Sequence, residues 1–426
     1  MNLIAKRIRG MQDLLPDKSK NWETLEKIMK EEAEVYGFKL IRTPVLEQTE
    51  LFERSVGNES DIVEKEMYTF KDKGDRSVTL RPEGTAGALR AVLENGLNNG
   101  PMPLKLMYVS SCYRYEKPQS GRYREFFQFG LEVFGAPSPL ADAELICLAK
   151  SILDRLTIKN LSLEINSIGC KECRKKYNEA IINYFNKNKE NLCETCQKRL
   201  EKNPMRILDC KEKGCINISK NAPVILDYLC EDCEAHFSAV KCYLDVMNVK
   251  YAVNPKIVRG LDYYSKTVFE FVCELEGEKM TICGGGRYDG LSKIMGGPEL
   301  SAIGLGMGIE RILAVMEKQK IEFQKPESIQ VFIANADEKS KEKAFELCEI
   351  MRKSSIIAEC NICERNLKSQ MKYANKINVQ FVLIIGEEEI QTKKANLKDM
   401  ASGKEIQISL EEDFIKDFLN AQFDFN

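Results

Sequence analysis

The stretch Met107–Gly135, MYVSSCYRYEKPQSGRYREFFQFGLEVFG, decides how the rest of the chain is read. It reads as two alternating strands joined by a loop. Successive side chains of a strand point to opposite faces, so Gln128, Gly130 and Glu132 share one face while Phe127, Phe129, Leu131 and Val133 share the other. The apolar set marks the buried side. The opposite side carries an amide and a carboxylate with a bare glycine between them, and a glycine inside a strand admits close approach to the backbone. By the same period the preceding strand groups Ser110, Cys112, Arg114 and Glu116. The loop Glu116–Glu125 contains Pro118, Gly121 and the cations Lys117, Arg122 and Arg124. A carboxylate-floored pocket beside a cationic loop suits an amine-bearing or cationic small molecule together with a phosphate compound. A solvated amphipathic hairpin would show the same alternation. From this stretch by itself both readings stand.

The surrounding composition narrows the choice. A chain of 426 residues exceeds the usual size of one core, so two or three domains are expected. A net charge of −2 gives no whole-chain attraction to nucleic acid, and any RNA contact must come from local cationic patches. No apolar run reaches the ~18 residues of a membrane span, and the start, MNLIAKRIRGMQDLLP, lacks the apolar core of a signal peptide. Cytoplasmic residence is the resulting expectation, with no membrane partner. The single histidine, His236, removes H-E-x-x-H metal sites and would have to serve any Ser-His-Asp or Cys-His device. Chemistry must then run on carboxylates, arginines and tyrosines.

Along the chain, the spacing of Trp22, Leu25, Ile28, Met29 and Ala33 predicts a helix over 17–36, followed by a strand over 38–43. Short strands are expected over 67–70 and 77–81, the second stopped by Pro82. Helices are expected over 86–93 and 141–156, and strands over 268–273 and 280–283. Gly284–Gly290 reads as a glycine turn. In the strand Ile303–Met307, Gly304, Gly306 and Gly308 fall on alternate positions and leave one face without side chains. A flat ring could lie there, and tight packing of another element would use the same glycines. Arg311 follows in the first turn of a helix, where an N-terminus and an arginine together favour a phosphate. Beyond a linker-like Gln324–Ser328, strands and helices alternate as βαβαβ, which predicts a separate parallel or mixed α/β domain.

Half of the sixteen cysteines sit in one lysine-rich stretch. Cys170 and Cys173, Cys193 and Cys196, Cys210 and Cys215, and Cys230 and Cys233 form close pairs of soft ligands suited to tetrahedral zinc, enough for up to two ions. Inert apolar cysteines, or the remnant of a site, would have the same spacing.

Several separated stretches then agree. The hairpin, TLRPEGTAG at 79–87, VRGLDYYSKTVFEF at 258–271, GGGRYDG at 284–290 and AIGLGMGIER at 302–311 together resemble the histidyl-tRNA synthetases, class II aminoacyl-tRNA synthetases of bacterial type. The hairpin resembles class II motif 2, the glycine strand with Arg311 resembles motif 3, and Gly37–Glu47 resembles the dimer-forming motif 1. The resemblance implies an α+β catalytic domain on an antiparallel sheet over 1–325, interrupted at 166–245 by a helical Cys-rich insertion. It implies an α/β anticodon-binding domain over 326–426. It also implies ATP with Mg2+, L-histidine and tRNA(His) as partners, and a homodimer. Zinc in the insertion is not required by the family's chemistry.

Residue by residue, the resemblance implies that Arg114 and Arg311 hold ATP phosphates and that Arg259 neutralises the meeting carboxylate and α-phosphate. Glu116 would read the adenine amine, Phe126 would stack on the ring against the glycine strand, and Arg122 is a further phosphate ligand. Glu83, Thr85 and Gln128 would take the α-amino group of histidine, and Glu132 and Tyr264 its imidazole. Gln119 would meet the acceptor end of the tRNA. Tyr115 and Phe127 stand where many bacterial relatives have histidine. Arg365, Lys368, Lys372 and Lys376 around one helix offer a phosphate face. The alternative is a non-catalytic regulatory paralogue used in histidine biosynthesis, but such proteins erode the signature arginines and the RGLDYY stretch, which are intact here.

Overall fold

The computed structural model describes residues 5–425 except 58, 59, 61, 120, 209, 258, 260, 262, 322 and 324–328. The chain forms two compact units, Met1–Phe323 and Gln324–Asn426. The expected linker Gln324–Ser328 lies outside the described residues, as do Val258, Gly260 and Asp262 of the VRGLDYY stretch.

The strands of the first unit are β1 (Lys39–Leu40), β2 (Leu46–Gln48), β3 (Tyr68–Lys71), β4 (Ser77–Leu80), β5 (Leu104–Tyr113), β6 (Glu125–Phe134), β7 (Leu161–Ser167), β8 (Ala252–Val253), β9 (Ser265–Leu275), β10 (Glu278–Arg287) and β11 (Ala302–Gly308). Eight of them form one sheet in the order β1-β5-β6-β11-β10-β9-β7-β8, and β2-β4-β3 form a small antiparallel sheet. The large sheet is antiparallel from β5 through β7, with β1 and β8 added in parallel at its edges. The opening hairpin is therefore β5–β6, paired from Leu104↔Phe134 to Tyr113↔Glu125.

Two expectations are corrected. The strand over 38–43 shrinks to the two residues of β1: Ile41 N–H still donates to the Met107 carbonyl (2.9 Å), but the Thr43 carbonyl turns to the Arg81 guanidinium (2.9 Å) instead of a neighbouring strand. The glycine turn at 284–290 is mostly strand: Gly284, Gly285 and Gly286 continue β10, paired with β9 on one side and β11 on the other. The turn that joins β9 to β10 is instead at Glu276 and Gly277, both with positive φ.

The alternation of β6 sorts as its pattern dictates. Phe129, Leu131 and Val133 are buried in the main core with residues of the helices Pro16–Val35, Pro139–Arg155, Glu231–Val246 and Ile309–Lys318. Phe127, half-buried, meets Trp22 edge-on at 4.9 Å between centroids. Full burial of each such side chain contributes about 1.5–3 kcal/mol. A buried polar cluster fastens the helix Pro139–Arg155 to the sheet. Arg287 is fully buried, its guanidinium bonded to Asp142, to the Ala136 carbonyl (2.9 Å) and to the Ser138 carbonyl (3.1 Å). His236 Nε2 lies 3.2 Å from Asp142 Oδ1. Burial pushes the Asp142 carboxyl up, but the bonds from His236 and Arg287 outweigh it and hold it below the usual range. The single histidine is thus committed to the core.

Between β7 and β8 the chain leaves the sheet as the helices Lys171–Asn186, Glu194–Lys202, Lys213–Ser219 and Glu231–Val246. A small core of its own spans Tyr177 to Ile225, while Phe237, Val240 and Leu244 of the last helix belong to the main core.

The second unit has β12 (Val331–Asn335), β13 (Ala358–Cys360), β14 (Phe381–Ile385), β15 (Lys394–Asp399) and β16 (Glu405–Ser409) in the order β13-β12-β14-β15-β16. β12 is parallel to both neighbours, and β15 and β16 are antiparallel additions. The helices Lys341–Lys353 and Leu367–Lys376 are the crossovers of the βαβαβ unit. Among the described residues no helix is long and apolar enough to cross a membrane.

Candidate active site

The polar face of β6 and its neighbours borders a cavity of about 400 Å³. It gathers Glu83 and Thr85 from the start of the helix Thr85–Glu94, Arg114 and Glu116 from the end of the β5 hairpin arm, and Arg122 from the loop. Phe126 and Gln128 come from β6, Arg259 and Tyr264 from the stretch before β9, and Arg311 from the helix after β11. Residues nearly two hundred positions apart meet because β11 pairs with β6, Gly304 opposite Glu132 and Gly308 opposite Gln128.

The carboxylate end is built by hydroxyls. Glu132 is fully buried and accepts from Thr85 Oγ1 (2.7 Å), Tyr108 OH (2.8 Å) and Tyr288 OH. Burial pushes its carboxyl up to about 8, against the pull of the three hydroxyls. It lies behind the cavity wall rather than on it, unlike the other residues expected to hold histidine. The room expected over Gly130 is filled: the Tyr108 ring occupies the place where a side chain at Gly130 or Gly84 would sit. The glycines of β11 are likewise covered in part, since a side chain at Gly304 would overlap the Glu132 carboxylate and one at Gly306 the Gln128 amide. The face that looked bare in sequence is where two side chains of β6 lie down. Gly306 and Gly308 still border the cavity. Glu83 caps the neighbouring helix, its two oxygens accepting the N–H groups of Thr85 and Ala86 at 2.7 Å each. Burial raises its carboxyl, partly offset by those bonds.

The cationic end is built by arginines already held by acceptors. Arg114 donates to the Pro82 carbonyl (2.9 Å) and lies 5.3 Å from the Phe126 ring centroid. Arg122 pairs with Glu116 at 2.9 Å, so Glu116 faces a guanidinium. Arg311 donates to the Thr281 carbonyl (2.7 Å) and the Gly121 carbonyl (3.3 Å). Burial, and then the charge of Arg122, push its guanidinium below its ordinary value. Arg259 is bonded to Glu270, which also accepts from Thr281 Oγ1 (2.9 Å). Its guanidinium lies 5.5 Å from the Tyr264 ring centroid. Gly284 makes room for it, because a Cβ there would fall 2.5 Å from Nη2. Arg259 Nε is buried with no hydrogen-bond partner among the described residues. An orphaned charged donor beside a cavity is a place for an anionic oxygen.

Gln119 does not reach this cavity. It is exposed on the loop, bridged to Arg122 through backbone bonds of 3.0 and 2.9 Å. Tyr115 stacks under Arg124 at 3.7 Å. The sequence reading missed Tyr108, Tyr288, Glu270, Thr281 and Glu310, the last pushed up to about 7 by burial while it accepts the Phe127 N–H. The alternation of β5 and the RYDG stretch carried Tyr108 and Tyr288, but only strand register reveals what their hydroxyls meet.

Among the described residues the eight paired cysteines gather into two groups of four, Cys170, Cys173, Cys230 and Cys233, and Cys193, Cys196, Cys210 and Cys215. Within each group the sulfurs all lie within 4.8 Å of one another. In the second unit Lys368, Lys372 and Lys376 are exposed on one helix, and Arg365 stacks on Tyr373 at 4.2 Å.

Residues 10–312 match the family model of histidyl-tRNA synthetase, and residues 330–418 match the model of an anticodon binding domain. The chain is 52% identical over 402 residues to the histidine–tRNA ligase of Clostridium novyi, covering 94% of this chain and 96% of that one. It is 49% identical over 410 residues to the histidine–tRNA ligase of Caldanaerobacter subterraneus, covering 96% and 98%. The crystal structure of apo histidyl-tRNA synthetase from S. aureus superposes with a TM-score of 0.83 at 38% identity, covering 97% of this chain and all of that one.

Proposed function

Since the chain belongs to the histidyl-tRNA synthetase family, we propose that it is a histidine–tRNA ligase whose reaction runs in the cavity bounded by β6, β9, β10 and β11. It activates L-histidine with ATP and transfers it to the 3′ end of tRNA(His). The carrying observation is that one cavity collects Arg114, Arg259 and Arg311 with Glu83, Thr85, Gln128 and Tyr264.

In the first step a carboxylate oxygen of histidine attacks the α-phosphorus of ATP. The bond from that phosphorus to the bridging oxygen breaks, and pyrophosphate leaves. The nucleophile is already ionised, so alignment and charge neutralisation do the catalysis. Arg259 spans the meeting carboxylate and α-phosphate, with its partnerless Nε available to an anionic oxygen. Arg114 and Arg311 hold the remaining phosphates, with Arg122 beside them, and Mg2+ accompanies ATP. A guanidinium suits this task because its planar fork takes two oxygens and keeps its charge. Phe126 stacks on the adenine, and Glu116, released from Arg122, reads its amine. At the other end Glu83, Thr85 and Gln128 take the α-amino group. Tyr264 meets the imidazole, and Glu132 acts through the hydroxyls of Thr85, Tyr108 and Tyr288 that it holds. A site whose buried polar groups need partners rejects analogues that lack them.

Residues 1–325, less an insertion at 166–245, form the catalytic domain, and residues 326–426 read the anticodon through the Lys368, Lys372 and Lys376 face. Gln119 on the exposed loop contacts the acceptor end. Exposed apolar Leu40, Val45 and Leu46 within the motif 1 stretch support a homodimer. The site is a cytoplasmic enzyme's, and the insertion holds structural zinc. The regulatory alternative is disfavoured by the assembled arginines and by the second unit. ATP–pyrophosphate exchange with each amino acid in turn tests the reading. Exchange with histidine alone supports it, and no exchange with histidine overturns it.

A further inference from the structure

We propose that the eight cysteines form two separate zinc sites, and that the inner ion, held by Cys170, Cys173, Cys230 and Cys233, positions Tyr264 and Arg259 in the active site. The positioning role rests on the functional reading above; the two-site assignment stands on geometry.

A ZnS4 tetrahedron with ~2.3 Å bonds has sulfur–sulfur edges of about 3.8 Å. In the inner group Cys170 and Cys173 are 3.5 Å apart and Cys170 and Cys230 are 4.0 Å apart; in the outer group Cys193 and Cys210 are 3.9 Å apart. These separations are far beyond the ~2.05 Å of a disulfide, and the cysteines are free. Each group also turns a backbone N–H onto a sulfur, Cys230 onto Cys173 at 3.1 Å and Cys193 onto Cys215 at 3.3 Å, which favours the thiolate form that zinc needs. The two sites are nested along the chain. The first and last pairs close the inner site, and the middle pairs close the outer one.

The inner site therefore clasps the entry and exit of the insertion, and it does so against the active-site wall. The chain enters from β7 by pairing with the first residues of β9: Ile168 N–H donates to the Lys266 carbonyl (2.8 Å), and Lys266 N–H to the Gly169 carbonyl (3.0 Å). Gly169, with φ of +64°, lies so close to Cys173 that a Cβ there would fall 2.5 Å from the cysteine's own. The next residue, Arg174, donates from Nη1 to the Tyr264 carbonyl at 2.8 Å. The Tyr264 ring in turn faces Arg259. The Tyr264 ring packs on Tyr263 at 4.8 Å between centroids, but on one side Tyr264 and Arg259 border a second cavity of about 240 Å³, lined also by Arg174 and Arg206. On that unfilled side the Arg174 bond ties the Tyr264 backbone to the insertion, and the ion fixes the helix turn that carries it.

The test uses the full chain. Zinc is counted after purification for the wild type, Cys230→Ser, Cys210→Ser, Arg174→Ala and Arg174→Lys, and histidine-dependent pyrophosphate exchange is measured on each. Two ions per wild-type chain are expected, one in each cysteine variant, and two in both Arg174 variants. Arg174→Ala and Cys230→Ser are expected to raise the KM for histidine about tenfold, the cost of one ordinary hydrogen bond, with Arg174→Lys restoring most of it. Fewer than two ions in the wild type, or loss of both ions from Cys210→Ser, would overturn the two-site assignment. A wild-type KM in Arg174→Ala would overturn the positioning role. Absence of exchange in the wild type would overturn the functional reading and the positioning role with it, while the zinc count still decides the two sites.

Discussion

Burial pushes the Glu132 carboxyl up to about 8, whereas a glutamate in an unfolded chain releases its proton near ~4.3. Between those values the folded chain binds more protons than the unfolded one. This contribution to stability is fully present below the unfolded value and is lost as pH rises through the folded one. Glu132→Gln removes the dependence. The stability of the wild type relative to that variant therefore falls from about pH 5 to about pH 8, measured as urea midpoints, and parallel curves would count against the assignment. Arg259 tests the chemistry at the same scale. Lysine keeps the charge but has no fork to span Glu270 and a substrate oxygen, so Arg259→Lys is expected to lower exchange by at least about 10²-fold. Exchange within a few-fold of wild type would remove Arg259 from the reaction.

The glycines of β11 and the buried arginine of β10 set the elements against one another. A side chain at Gly306 displaces the Gln128 amide, so Gly306→Ala is expected to raise the KM for histidine well before it affects thermal stability. The opposite order would assign the glycine to packing alone. Asp142→Ala leaves the fully buried Arg287 with only the Asp289 carboxylate, 3.2 Å away, a change that costs about 3 kcal/mol and is read by urea unfolding. An unchanged midpoint would contradict the buried pairing. The alternation of β6 was legible because a sheet with one buried face imposes period two on its sequence. Spacing also exposed the cysteine pairs and the glycines of β11. What escaped was everything set by register between distant strands: that Tyr108 fills the space over Gly130, that Gly284–Gly286 pair on both sides rather than turn, and which cysteine pairs join.

Each unit has a hydrophobic core of its own, one around Leu131 and Leu305 and the other around Val331 and Phe381, so charge changes on the second need not disturb the first. Replacing Lys368, Lys372 and Lys376 together by alanine is expected to weaken tRNA binding and to reduce its logarithmic salt slope by about 2, at ~0.7 per phosphate contact on a single strand. Pyrophosphate exchange with histidine should be unaffected. An unchanged salt slope would move the phosphate face elsewhere.

The pairing of β6 with β11 has a consequence in time. Residues 128–134 lie beside residues 302–308, and a ribosome adding ~10 residues per second spends about 17 s between them. Through that interval the apolar strand Phe129–Val133 has one completed neighbour, β5, and one missing, while the cysteine-rich segment emerges in full. A nascent chain at this stage offers an open sheet edge to its neighbours on a polysome, and early zinc capture by the insertion would shorten the exposed, unfolded length by joining Cys170 to Cys233 before the last strands arrive.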